Sequence, residues 1–317
     1  MAHYDVFNGD ADGLCALQQL RLVEDVDATL VTGVKRDISL LERVPAGADD
    51  VVTVLDISLD KNRAALAGLL ERGARVTYFD HHFPGEIPTS PALTTHIDTS
   101  AEQCTALLVD RALEGRCRPW AVVGAFGDGL DVEARRAASG MGFSDADLER
   151  LRELGIYLNY NGYGEHLEDL HFAPDALFRR MRGCADPVAF TELDAAFAVL
   201  RDGFTEDMAR ARDLEPALLS ERHGLYVLPG ERWARRISGV LANELAQAAP
   251  ERAHALLTRR PEGGFVVSVR APKATGDGAD ALCRQFSTGG GRKGAAGINV
   301  LPADDYETFL TRFQAAF

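Results

Sequence analysis

The sequence predicts an α/β protein of two domains: a mostly parallel, Rossmann-like sheet with helices on both faces, then a smaller α/β domain. Three observations carry this expectation. The 317 residues exceed the roughly 250 to 300 at which a single hydrophobic core stops growing. Short β-type runs that end in acidic or turn residues alternate with helical patterns along the first half of the chain. Charge is divided unevenly, with 13 Lys+Arg against 10 Asp+Glu in residues 221–317, which leaves 21 against 38 in residues 1–220. A boundary within 215–224 is expected, giving domains 1–220 and 221–317.

Taken in order, Tyr4 to Asn8 reads as a strand before a helix from Gly13 to Leu22. Val51 to Asp56 reads as a strand before a helix from Lys61 to Glu71, and Arg75 to Phe79 as a third strand. A helix is expected to begin near Ser100, where Thr99 to Glu102 and Ser100 to Gln103 both have capping-box spacing. The apolar run Trp120 to Phe126 leads into Gly127 and Asp128. Residues 145–220 read as mostly helical, interrupted by the aromatic and glycine-rich stretch Tyr157 to Gly164 and by Pro174 and Pro187. In that stretch a packed helical subdomain is favoured over a lid whose tyrosines stack on a base, and Trp120 and Trp233 are assigned to the core. Further on, Leu225 to Leu228, Ala253 to Thr258, Gly264 to Arg270 and Ile298 to Leu301 read as strands. Helices are expected at Trp233 to Gln247, Ala279 to Phe286 and Asp304 to Phe317.

The hydrophobic fraction of 46% and charged fraction of 26% are those of a globular chain. Met1 to Val6 lacks a basic stretch followed by an apolar run, and no segment approaches the roughly 20 apolar residues of a membrane span, so a cytoplasmic protein without a membrane partner is expected. Five scattered cysteines, none in a Cys-x-x-Cys pair, argue against a disulfide framework and a zinc-thiolate site. The net charge of -14 disfavours a long duplex nucleic acid as partner.

Three strands end in carboxylates: Asp10 just past the first, Asp56 closing the second, and Asp80 closing the third, followed at once by His81 and His82. In an open parallel sheet the carboxyl ends of the strands share one edge, where ligands bind. Carboxylates crowded there repel unless a cation neutralises them, and carboxylate with imidazole suits Mn2+ or Mg2+. Asp12, directly before Gly13, reads as a helix cap. Near the C-terminus, Gly289-Gly290-Gly291-Arg292-Lys293-Gly294-Ala295-Ala296-Gly297 can form a concave nest of backbone N-H groups for an anion, with Arg292 or Lys293 adding charge. The alternative there is a flexible turn.

Asn8-Gly9-Asp10-Ala11-Asp12-Gly13, Asp56, Asp80-His81-His82 and Gly127-Asp128 resemble, in order and spacing, the four motifs of the DHH phosphoesterases. That family includes RecJ-type single-strand exonucleases, oligoribonucleases, cyclic-dinucleotide phosphodiesterases and family II pyrophosphatases. The resemblance implies that Asp56 bridges two metals and that Asp10, His81 and Asp128 complete one of them. It also implies that His82 faces the phosphate and that Asp80 orients the imidazoles. At the other metal the chain departs from the pattern: Asn8 stands where the family has Asp, and Tyr4 where many members have His. Asn8 can still offer an amide oxygen.

The glycine run resembles the Gly-Gly-Gly-His-x-x-Ala-Ala-Gly signature of the DHH-associated C-terminal domain, with Arg292 in place of His. By that resemblance Gly289, Gly290, Gly291, Arg292, Ala295 and, upstream, Arg270 grip a phosphate across an interdomain cleft that holds the active site. The implied activity is that of a hydrolase: a Mn2+-dependent phosphoesterase or nuclease, with Mg2+ or Co2+ as alternative ions and one or two ions bound. Its implied substrate is a small nucleotide or a short single-stranded oligonucleotide, and the chain is compatible with a homodimer. The alternative reading is a nucleotide-binding or regulatory protein with a degraded metal site.

Overall fold

The computed structural model describes residues 1–317. They form two compact units, Met1–Asp202 and Gly203–Phe317. The first contains β1 (His3–Phe7), α1 (Ala11–Val23), β2 (Thr29–Val31), β3 (Val51–Leu55), α2 (Leu59–Glu71), β4 (Arg75–Asp80) and β5 (Leu93–Ile97). These are followed by α3 (Thr105–Ala112), α4 (Arg118–Gly127), α5 (Asp131–Ala138), α6 (Asp145–Gly162), α7 (Pro174–Met181) and α8 (Pro187–Leu193). Helix α9 (Ala195–Arg212) runs through the point of division.

The first sheet has the order β2-β1-β3-β4-β5, and every pair is parallel, as the alternating pattern predicts. Val51-Val52-Thr53-Val54-Leu55 is β-rich and almost wholly buried, which is the composition of a central parallel strand covered on both faces. Val6 packs with Leu66 and Leu69 of α2, whereas its neighbour Phe7 meets Phe178 of α7 at 6.0 Å between ring centroids. Successive strand residues point to opposite faces, so helices lie on both sides. The chain leaves β1 towards β2 on one side and returns to β3 on the other. That reversal places a crevice at the carboxyl ends of β1 and β3, where Asp10 and Asp56 emerge.

Two local expectations are corrected. Helix α3 begins at Thr105 and not near Ser100, whose carbonyl only closes a turn with the Gln103 N-H. Its first amides are instead met by a distant carboxylate: Thr105 N and Ala106 N each donate to Asp12 at 2.7 Å. A charged acceptor satisfies two orphan donors better than a local hydroxyl satisfies one, and it sets where the helix starts. Pro174 and Pro187 do not interrupt helices but open α7 and α8, where a proline lacks an N-H that would have no partner in any case. The run Trp120 to Phe126 is a helix buried all round, α4. Trp120, Tyr157, Tyr160 and Trp233 are core residues, so the tyrosines of α6 pack rather than form a lid.

The second unit contains β6 (Leu218–Leu219), β7 (His223–Leu228), α10 (Arg232–Ala248), β8 (Ala253–Arg259), β9 (Phe265–Arg270), α11 (Ala279–Cys283), β10 (Gly289–Arg292), β11 (Ala295–Leu301) and α12 (Tyr306–Ala316). Its mixed sheet has the order β10-β11-β9-β8-β7-β6. Leu257, Val267 and Ile298 of the sheet pack with Phe309 and Phe313 of α12.

The glycine run is not the loop expected but an edge strand, β10, hydrogen-bonded along its length to β11. At two of its positions only glycine fits. A Cβ on Gly289 would lie 1.8 Å from the Cys283 carbonyl oxygen, and one on Gly291, at φ 141°, would lie 2.5 Å from the Ala296 Cα. The register sets Arg270, Ala295 and Arg292 side by side on three adjacent strands. Cross-strand partners share a face, so both side chains leave one side of the sheet from Cα positions two strand spacings, or about 10 Å, apart. All five cysteines are unpaired, and no helix is long and apolar enough to cross a membrane.

Candidate metal centre

Each member of the acidic cluster is held by an element end. Asp10 caps α1, its Oδ1 accepting from Asp12 N and Gly13 N at 3.1 Å. Gly13 is needed for this turn, since a Cβ there would lie 2.2 Å from the Asn8 carbonyl oxygen. Asp56 leaves β3 at φ 59°, a left-handed conformation rare for a residue with a side chain, and its amide donates to Phe79 O at 3.0 Å. Asp80 ends β4, and Asp128 follows α4.

His81 is the focus. Its Nδ1 lies 2.9 Å from the Gln103 carbonyl oxygen, which can only accept, so Nδ1 carries a proton. That leaves Nε2 facing Asp56 at 3.4 Å, Asp12 at 3.9 Å and Asp128 at 4.0 Å. A ring nitrogen fixed by a backbone carbonyl while the other points into carboxylates is the arrangement of a metal-binding histidine. Two overlapping ligand groups fit a cation: Asp12, His81 and Asp128, and Asp56, His81 and His82. Asp12 is thus both the cap of α3 and a candidate ligand, a role that its sequence position did not suggest.

The electrostatics show what a cation would relieve. Burial, together with repulsion from Asp128 and Asp10, pushes the Asp12 carboxyl up to about 6 despite His81. Burial, then Asp10 and Asp12, raise Asp56 well above the usual carboxylate range. Burial alone would lower His81, but the hydrogen bond and charge of Asp56, with Asp12 and Asp128, raise it to about 10. Without a metal, His81 therefore holds a proton in the place a cation would take. Its folded pKa is raised, so the stability it contributes is complete below about 6.5, the unfolded value, and fades as pH rises through about 10. A ligating nitrogen must lose that proton. Mn2+ affinity is accordingly expected to rise about tenfold per pH unit between pH 6.5 and 8.5, with close to one proton released per ion. Titration calorimetry in buffers of different ionisation enthalpy checks this, and a pH-independent affinity would contradict it.

The other site residues fall as follows. His82 is half-exposed, and its Nδ1 lies 2.7 Å from Oδ1 of the fully buried Asp80, so Asp80 orients His82 alone while Gln103 orients His81. Asp10 turns its Oδ2 to Lys35 Nζ at 2.5 Å. Burial would raise the Asp10 pKa, but Lys35 and the Gly13 amide lower it. The buried Asn8 donates to the Lys35 carbonyl at 3.3 Å, and its own Oδ1 has no hydrogen-bond partner. Lys35 lies in a loop without a motif and was not among the residues the sequence pointed to. In the second unit, Arg270 donates to Asn243 Oδ1 at 2.9 Å, and Arg292 is exposed on β10.

No family model and no curated protein matches the chain. Among solved structures it is similar to RecJ from Thermus thermophilus, determined in complex with Mn2+, at a TM-score of 0.63 and 19% identity over 99% of this chain. The chain spans about half of RecJ, 51% of its length. It is also similar over the whole length of both chains to PggH, a pGpG-specific phosphodiesterase from Vibrio cholerae, at a TM-score of 0.55 and 14% identity. CDC45 from Entamoeba histolytica matches at 0.54 and 8% identity over 99% of this chain and 95% of its own. With the five-stranded parallel sheet and the mixed second sheet, these likenesses show that the chain has the fold shared by RecJ and PggH.

Proposed function

We propose that the protein is a metal-dependent phosphoesterase acting on a small nucleotide or a short single-stranded oligonucleotide. The observation that carries this reading is the His81 Nε2 within 4.0 Å of three carboxylates, with its other nitrogen fixed by a backbone carbonyl. His81, Asp12, Asp56 and Asp128 are the residues that would hold a divalent ion, with Mn2+ favoured by the RecJ likeness. Bound there, the ion supplies acidification of the attacking water and neutralisation of phosphate charge. His82, oriented by Asp80, is placed to hold or deliver a proton at Nε2, its free nitrogen. Arg270 and Arg292 give the second unit a face that suits a phosphate group, since each guanidinium presents a planar donor fork.

A short substrate agrees with the net charge of -14, which disfavours tracking along a duplex, and with the end-to-end likeness to a phosphodiesterase specific for a dinucleotide. The test is release of mononucleotides from linear dinucleotides, cyclic dinucleotides, oligonucleotides of two to five residues and nucleoside bisphosphates. Turnover of at least one class with Mn2+, abolished by EDTA, is expected. Binding of nucleotides without turnover of any would shift the reading to a regulatory nucleotide-binding protein.

A further inference from the structure

We infer that the Lys35 ammonium is a built-in cation that occupies Asp10 and keeps a second divalent ion from that carboxylate, so that the centre holds one such ion. The inference rests on the metal-dependent reading above and concerns how many ions that centre takes. Three observations carry it.

First, Lys35 is fixed from several sides. Its Nζ lies 2.5 Å from Asp10 Oδ2, 2.9 Å from Asn159 Oδ1 and 5.4 Å from the centre of the Tyr163 ring, while its backbone N-H donates to Gly162 O at 2.8 Å. A lysine that merely rests on the surface is not held at both main chain and ammonium.

Second, Asp10 is fully engaged. Its Oδ1 receives two backbone amides and its Oδ2 the ammonium, so a second ion would have to displace Lys35 to reach it.

Third, the charges match. Position 8 is Asn and brings no charge, Asp12 turns towards His81, and Asp10 turns to Lys35. One ammonium balances one carboxylate. A dication beside Asp10, with Lys35 2.5 Å away, would instead face a like charge at close range in a largely buried site. The ammonium has three N-H donors, of which Asp10 and Asn159 take two. The third can donate to a phosphate oxygen, which gives charge stabilisation without the ligand exchange a metal requires.

The experiment is Mn2+ stoichiometry, by titration calorimetry and by elemental analysis after dialysis, on the wild type, Lys35→Arg and Lys35→Ala. One equivalent is expected for the wild type and for Lys35→Arg. Lys35→Ala, which leaves Asp10 without its partner, is expected to take up a second, weaker equivalent before 1 mM free Mn2+ is reached, and Asn8→Asp in the same background to tighten it by about tenfold or more. Two equivalents in the wild type would overturn the inference while leaving the metal-dependent reading intact, as would a titration of Lys35→Ala that ends at one. No binding at all by the wild type would overturn the metal-dependent reading instead. Should Lys35→Ala fail to fold, the wild-type stoichiometry decides alone: one equivalent supports the inference and two refutes it.

Discussion

Asp56→Asn is expected to lower Mn2+-dependent hydrolysis by more than about 100-fold, the upper range for losing even an outer partner of a metal ligand, while raising the melting temperature of the metal-free protein. The two signs come from one carboxylate. Asp56 is buried, and its pKa is raised well above the usual range by that burial and by Asp10 and Asp12. A carboxyl whose folded pKa is raised contributes stability below the unfolded value of about 4 and loses it as pH rises through the folded one, so at neutral pH the charge is a burden without metal. Asparagine removes the burden and keeps the shape. It also tolerates the left-handed φ of 59°, which alanine would not, and its amide oxygen can still accept the Thr105 hydroxyl, now at 3.3 Å. Calorimetric titration with Mn2+ and thermal melts in EDTA measure both effects. Activity within a few fold of wild type, or a lower melting temperature in EDTA, would refute the role given to Asp56.

The elements that place this carboxylate were legible because their signals are local. β3 is a short β-branched run, Asp56 and His81 each follow a strand end directly, and Asp80 closes β4. What escaped the sequence is what depends on distant pairs. Asp12 was expected to cap the helix beside it, yet that helix is capped by Asp10, and Asp12 caps α3, 93 residues on. No spacing in the sequence reports a bond to the amides of Thr105 and Ala106. Lys35 escaped for the same reason: Asn8 signals a missing charge, but nothing local says which cation replaces it. β2, of three residues, is too short to show a pattern, and β5 is an edge strand with a half-exposed, polar sequence. The glycine run was recognised by composition. Its composition is as compatible with a nest as with an edge strand, and the pairing with β11 decides between them.

Asp80→Asn is expected to reduce kcat by about 100- to 10,000-fold, by analogy with the loss of the carboxylate that orients a catalytic histidine, while leaving Mn2+ affinity and stoichiometry unchanged. The separation follows from the two different anchors of the histidine pair. His81 is set by the Gln103 carbonyl and not by Asp80, so its Nε2 stays among Asp12, Asp56 and Asp128. His82 depends on Asp80 for both its backbone amide, at 3.1 Å, and its Nδ1, at 2.7 Å. The amide oxygen of asparagine can accept both of these bonds in the place of Oδ1, but it cannot balance the imidazolium that forms when His82 takes up a proton. The substitution has its own structural cost, because Asp80 Oδ2 is buried without a hydrogen-bond partner, and an amide nitrogen there would be an unpaired donor worth about 1 to 3 kcal/mol. Rates should therefore be compared well below the melting temperature. His82→Ala should lose activity to a similar extent, and the double variant should be little worse than either single one, since the two residues act as a unit. Multiplicative losses in the double variant, or weakened Mn2+ binding in Asp80→Asn, would show instead that Asp80 supports the metal centre and that His82 works without it.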